Sequence, residues 1–180
     1  MEIGLITVAG LFFTVIIWII AISNRFKVLL IKINEADSGI DVALTKRYDT
    51  LTKMIDVVKA YSKHETELFT NVIKLRMGMS FEEKTEANQS MDKLMEKINV
   101  AVEAYPDLRS NENYLKLKDA IVDAEEHLQA ARRLYNSNVS MFNQAIAVFP
   151  SSIIANKQNH TPKNFFEAET IKRMDVKIDL

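Results

Sequence analysis

The sequence predicts an all-α protein: a single N-terminal transmembrane helix followed by an antiparallel bundle of long helices. Three observations predict it. Residues 3–22, IGLITVAGLFFTVIIWIIAI, carry no charge. The segments that follow repeat apolar residues every three or four positions, the period of an α-helix. Only four Gly and three Pro punctuate 180 residues, so the helices must be long.

The first element is the anchor, residues 1–24. Its uncharged run of about twenty residues makes a helix about 30 Å long, the hydrocarbon thickness of a bilayer. A helix satisfies its own backbone hydrogen bonds, which lipid cannot do. A cleaved signal peptide would want a basic start, a shorter apolar stretch and a small-residue cleavage site. Here the chain starts Met1-Glu2 and the span runs directly into SNRFKVLL. Arg25, Lys27 and Lys32 follow the span, whereas Glu2 precedes it. The positive-inside rule therefore puts the N-terminus outside and the C-terminal part in the cytoplasm. Trp18 fits an interfacial aromatic or a lipid-facing one.

The second element is a bundle over residues 25–155, with helices expected at about 26–77, 81–105 and 111–149. Counting alternately by four and three from Ile40 gives Leu44, Arg47, Leu51, Met54, Val58, Tyr61, Glu65, Leu68, Val72 and Leu75. All but Arg47 and Glu65 are apolar or aromatic, which makes a heptad stripe. Ala43, Ile55, Phe69 and Ile73 widen it. Gly39 is its weak point and a place for a kink. Charge on such a stripe must find a partner or reach water; Arg132, Arg133, Asp123 and Glu126 are candidates, with no pair assignable. Gly78 suits a left-handed cap after Met77. Ser80 and Glu83 form a capping-box pattern that opens the second helix. Met91, Leu94, Met95, Ile98, Ala101, Val102 and Tyr105 recur on its inner face, and Pro106 ends it.

The last long helix reads Tyr114, Leu117, Ile121, Ala124, Leu128, Ala131, Tyr135, Asn138, Phe142, Ala145 and Phe149 along its seam. Within it an aromatic–Asn pair occurs twice, Tyr135-Asn136 and Phe142-Asn143, seven residues apart. Asn136 and Asn143 fall about 100° off the seam, whereas Asn138 lies on it. Two readings stay open: buried hydrogen-bonding residues that fix a bundle's register, or a polar pocket lined by Tyr135, Asn136, Asn138 and Asn143. Pro150 closes the element.

Residues 156–180 form a tail. NKQNHTPKN reads as a loop. Phe165 and Phe166 are too apolar to be left in water and are expected to dock on the bundle or a partner. Val176, Ile178 and Leu180 alternate as in an extended segment.

No chemistry emerges. The net charge is -1, from 23 basic and 24 acidic residues, so no basic face argues for nucleic acid. With no Cys, disulfides and thiolate metal sites are excluded. His64 lacks a second His four residues on, His127 lacks a Glu three residues before, and His160 stands in a loop. There is no glycine-rich phosphate loop and no nucleophile elbow. No catalytic residue, metal or cofactor is therefore expected.

Four stretches resemble the LemA family: DVALTKRYDTLTKMIDVVKAYSKHE (41–65), YPDLRSNENYLKLKDAI (105–121), AARRLYNSNVSMFNQAIAVFPSSIIA (130–155) and FFEAE (165–169). The signature residues include Arg47, Arg132, Arg133, Tyr135, Asn136, Asn138, Phe142, Asn143, Pro150, Phe165 and Phe166. Gly39 departs from the pattern, where a larger residue is usual. The resemblance implies a bacterial inner-membrane protein with one span and a cytoplasmic helical bundle, and no established reaction. Partners follow as the lipid bilayer, further copies of the chain, and a membrane protein of the kind its genes neighbour, such as a membrane zinc metalloprotease. Two functions are carried forward: a scaffold or adaptor that self-associates or organises membrane proteins, and a tethered sensor binding a ligand between helices.

Overall fold

The computed structural model describes residues 2–61 and 79–166. Those residues are helical or irregular, with no strand among them. The elements are α1 (Glu2–Tyr61), α2 (Phe81–Ala104), α3 (Pro106–Arg109), α4 (Glu112–Ala147) and α5 (Ser151–Lys157). The expected end of the first helix at Met77, the Gly78 cap, Glu65 and the alternating residues Val176, Ile178 and Leu180 lie outside the described residues.

α1 is long and apolar enough at its N-terminal end to cross a bilayer, and that window is unburied. The helix continues through Gly39 without a break. A Cβ at Gly39 would meet nothing within 4 Å, so no packing demands glycine there. Thr7 and Thr14 hydroxyls donate to the carbonyls of Gly4 and Leu11 three residues back. The only polar side chains of residues 3–22 are thus satisfied inside the helix.

The caps follow local chemistry. Ser80 Oγ accepts from the Glu83 amide at 3.2 Å, and the Ser80 amide donates to the Glu83 carboxylate at 2.7 Å. That completes the capping box expected at the start of α2. Pro106 both ends α2 and starts α3, a short turn that periodicity did not reveal. Asn111 Oδ1 accepts from the Tyr114 amide and caps α4. α5 was likewise unforeseen. It ends in a Schellman motif: the His160 amide donates to Ala155, the Asn159 amide to Asn156, and Asn159 takes a left-handed φ of 56°.

The described residues fall into two compact units, one lying within 1–36 and 134–166 and the other within 37–133. In the first, Phe26, Leu29 and Ile33 of α1 meet Val139, Phe142, Ala145 and Ile146 of α4 and Ile154 and Ala155 of α5. His160 sets its ring edge-on to Phe26 and Phe142, at 5.1 and 5.8 Å between centroids. In the second, Ile40, Leu44, Leu51, Met54 and Val58 of α1 are buried, as are Met91 and Ile98 of α2 and Ile121, Ala124 and Leu128 of α4. Over the described residues the stripes counted from the sequence therefore face inward, with two exceptions. Tyr61, at the end of α1, is 40% exposed. Phe149 was counted as the last seam residue, but α4 ends at Ala147 and Phe149 is 80% exposed.

Candidate functional site: an asparagine clip and a buried cation network

Asn136 and Asn143 stand two helical turns apart on one side of α4. Each holds the same kind of group, the backbone of the chain's own tail. Asn136 Nδ2 donates to the Phe166 carbonyl at 2.9 Å, and the Phe166 amide donates to Asn136 Oδ1 at 2.7 Å. Asn143 Nδ2 donates to the Lys163 carbonyl at 2.9 Å, and the Lys163 amide donates to Asn143 Oδ1 at 2.8 Å. Tyr135 adds a hydroxyl donated to the Asn164 carbonyl at 3.3 Å.

The spacing has a geometric reason. Seven residues of helix rise about 10.5 Å. Three residues of extended chain cover about 10 Å. Two asparagines seven apart therefore match two peptide groups three apart, and the order 136 to 166 and 143 to 163 makes the segment run opposite to α4. A carboxamide offers one donor face and one acceptor face, so it pairs with a peptide as a neighbouring strand would. Aspartate lacks the donor, and alanine lacks both.

Asn138 behaves differently. It is buried and donates Nδ2 to the Lys32 carbonyl of α1 at 2.9 Å. Its amide ties α4 to the α1 backbone, which is the role expected of a polar seam residue. Phe142 beside it is 1% exposed. Of the two tail aromatics, Phe166 is buried and Phe165 is 45% exposed. Docking of the tail thus runs through one ring and the clip. Pro150 is exposed, follows a cis peptide bond and opens α5. Arg132 is half-buried and Arg133 exposed.

The second polar cluster surrounds Arg47, which is 2% exposed. Its guanidinium donates to Asn88 Oδ1 at 2.6 Å and Asp92 Oδ1 at 2.5 Å, and it pairs with Glu125. The partners come from α2 and α4. The candidates weighed from sequence do not include them: Asp123 pairs instead with Lys46 at 2.5 Å. Lys84 of α2 is also buried and bonds to Asp37 and Asp41 at 2.7 and 2.8 Å. Those carboxylates sit four apart on α1, on either side of Gly39. Burial alone would lower the Lys84 pKa. The two carboxylates outweigh that and hold it above its ordinary 10.5.

The arrangement joins and orients helices. Among the described residues, no cluster of His, Cys, Asp and Glu is placed to hold a metal ion. An open groove of about 770 Å³ lies along α1, lined by residues including Val42, Thr45, Asp49 and Lys53. The clip could have been sought in the sequence: two asparagines one heptad apart, off the seam, repeat the same donor–acceptor pair. What that repeat engages is 20 to 30 residues away in the chain.

These features define a class: a helical protein with a long apolar N-terminal helix, whose last long helix clips its own tail. Over residues 36–180 the chain matches the model of the LemA family. It is 30% identical over 150 residues to Protein LemA of Metamycoplasma hominis, covering 81% of this chain and 68% of that relative. The chain belongs to the LemA family.

Proposed function

We propose that this protein is a membrane-anchored helical scaffold or adaptor, without catalysis of its own. The apolar end of α1 spans the bacterial cytoplasmic membrane with the N-terminus outside. The remaining helices form an antiparallel bundle in the cytoplasm, which self-associates or organises membrane proteins, a membrane zinc metalloprotease among them. The observation that carries this reading is the continuity of α1: one helix of 60 residues joins the apolar span to the packed helices with no break. Tethering to a membrane also raises effective concentration, which favours lateral assembly. The polar clusters support the same reading, since Arg47, Lys84, Asn136, Asn138 and Asn143 all bond to other helices or to the tail. The amides that a sensor pocket would use are engaged by the chain itself.

The test is the mass and composition of the native complex, extracted in mild detergent. A homogeneous assembly of this chain, or a stoichiometric membrane-protein partner, is expected. A monomer with no partner, captured by crosslinking in intact membranes as well as in detergent, would overturn the scaffold.

A further inference from the structure

The geometry points to a second membrane contact: the α4–α5 corner, Val148, Phe149 and Ile153, inserts into the cytoplasmic interface of the bilayer beside the span. This inference rests on the membrane anchoring proposed above. These three side chains are 55%, 80% and 60% exposed and lie within six residues at one corner, the kind of exposed apolar patch that often marks a contact site.

Their height relative to the span follows from contacts within one compact unit. Asn138 of α4 meets Lys32 of α1. From there α4 runs back along α1 toward its apolar end, because Gln158, at the end of α5, bonds to Ser23 at 2.7 Å. Ten residues of α4 carry the chain about 15 Å from Asn138 to Val148. Ten residues of α1 cover the same distance from Lys32 to Ile22, where the uncharged run ends. Val148 and Phe149 therefore lie level with the mouth of the span. Ile22 itself packs against the core that holds Ile154 and Ala155. α5 thus presents one side to that core and leaves Ile153 on another.

The surrounding charge fits the same occupant. Arg25, Lys27 and Lys157 are exposed at this level, where cations meet anionic headgroups. An apolar edge that sinks a few ångströms beneath a basic rim is the pattern of an interfacial segment. Covered so, the corner would fix the helix pair against the membrane surface as well as through it.

The chain has no cysteine, so single spin labels can be placed without background. Phe149→Cys and Ile153→Cys report the corner, Ile16→Cys the span, and Val100→Cys, at a site 69% exposed, water. The full chain is reconstituted in phosphatidylcholine–phosphatidylglycerol vesicles. Collisions with oxygen, which concentrates in lipid, are compared with those of a water-soluble nickel chelate. The oxygen-to-nickel ratio at 149 and 153 should be several-fold above that at 100 and approach that at 16. Adding Phe149→Glu should return the ratio at 153 toward the water value. If 149 and 153 match position 100 while 16 reads as lipid, the corner is not in the membrane and the anchor stands. If 16 also reads as water, the anchoring itself fails. If 149 is shielded from both reagents, protein covers the corner and lipid is the wrong occupant.

Discussion

The two compact units solve the same problem, keeping polar groups among packed helices, with opposite chemistry. In residues 37–133 two cations are buried, Arg47 and Lys84, each held by carboxylates on neighbouring helices, alongside the neutral Thr50 and Asn88. In residues 1–36 and 134–166 no buried charge stands among the described residues, and the pairing groups are neutral amides, the buried Asn138 and the half-buried Asn136 and Asn143. A cation can satisfy several partners at once, which suits the meeting of three helices at Arg47. It also makes the unit depend on each partner, because an unpaired buried charge is costly. An amide pairs one peptide group at a time and carries no charge. It suits a segment that is laid along a helix.

The largest effect that separates the two solutions is expected at Arg47. Replacing it by Leu, which removes the bonds to Asn88, Asp92 and Glu125, should destabilise the 37–133 unit by about 2–4 kcal/mol. The half-exposed carboxylates keep this within or below the range for a broken buried pair. Hydrogen exchange would show it as faster opening around α2, with the clip at 163–166 unchanged. Equal protection in both units after Arg47→Leu would mean that the cation network carries little of the packing.

Next come the clip residues. Asn136→Ala or Asn143→Ala removes two hydrogen bonds each and should weaken tail docking by about 1–2 kcal/mol. Tryptic cleavage after Lys163 measures it, and roughly a 5- to 30-fold acceleration is expected for a cleavage that needs the tail released. The substitution Asn136→Asp sharpens the argument. Aspartate keeps the acceptor for the Phe166 amide and loses the donor to its carbonyl, so it should release the tail nearly as well as alanine. Wild-type cleavage in Asn136→Asp would show that one bond of the pair suffices.

Asn138→Leu should cost least among the amides, within about 1 kcal/mol. Its partner, the Lys32 carbonyl, lies inside an α-helix and keeps a backbone donor when the side chain is lost. Thermal unfolding followed by circular dichroism tests it.

Acid and base give the smallest effect near neutrality. Lys84 has its pKa raised above 10.5, so its contribution is complete below that value and is lost as pH rises through the raised one. Asp123 has its pKa lowered from 3.8 by the hydrogen bond and charge of Lys46. Its contribution is present above 3.8 and fades as pH falls through the lowered value. These two groups therefore leave the 37–133 unit flat in stability between about pH 5 and pH 9. Unfolding midpoints that slope across that window would point to other titrating groups.

Much of the fold was legible because helix signals are local. The capping box at Ser80 and Glu83, the break at Pro106 and the stripe from Ile40 to Val58 each lie within a few residues of what they specify. α3 and α5 escaped because four and seven residues are too few for a period to show. The seam count failed at Phe149 because periodicity continues on paper past the point where the helix stops. The asparagine repeat was visible, but its role was not. A carboxamide suits a seam, a pocket or a backbone clip equally well until its partner is known.

The sequence by itself determined the long apolar N-terminal stretch, the long helices, their caps and inward faces, and the signature by which the LemA family is recognised. Hydrophobic periodicity and capping are properties of neighbouring residues, so they survive without knowledge of the fold. Tertiary structure alone decided that Arg47 answers to Asn88, Asp92 and Glu125, that Lys84 bridges Asp37 and Asp41, and that Asn136 and Asn143 grip residues 163 to 166. Those pairings join groups 20 to 78 positions apart. A charged or amide side chain has many partners of suitable chemistry in a chain this polar, and only packing brings one set within about 3 Å.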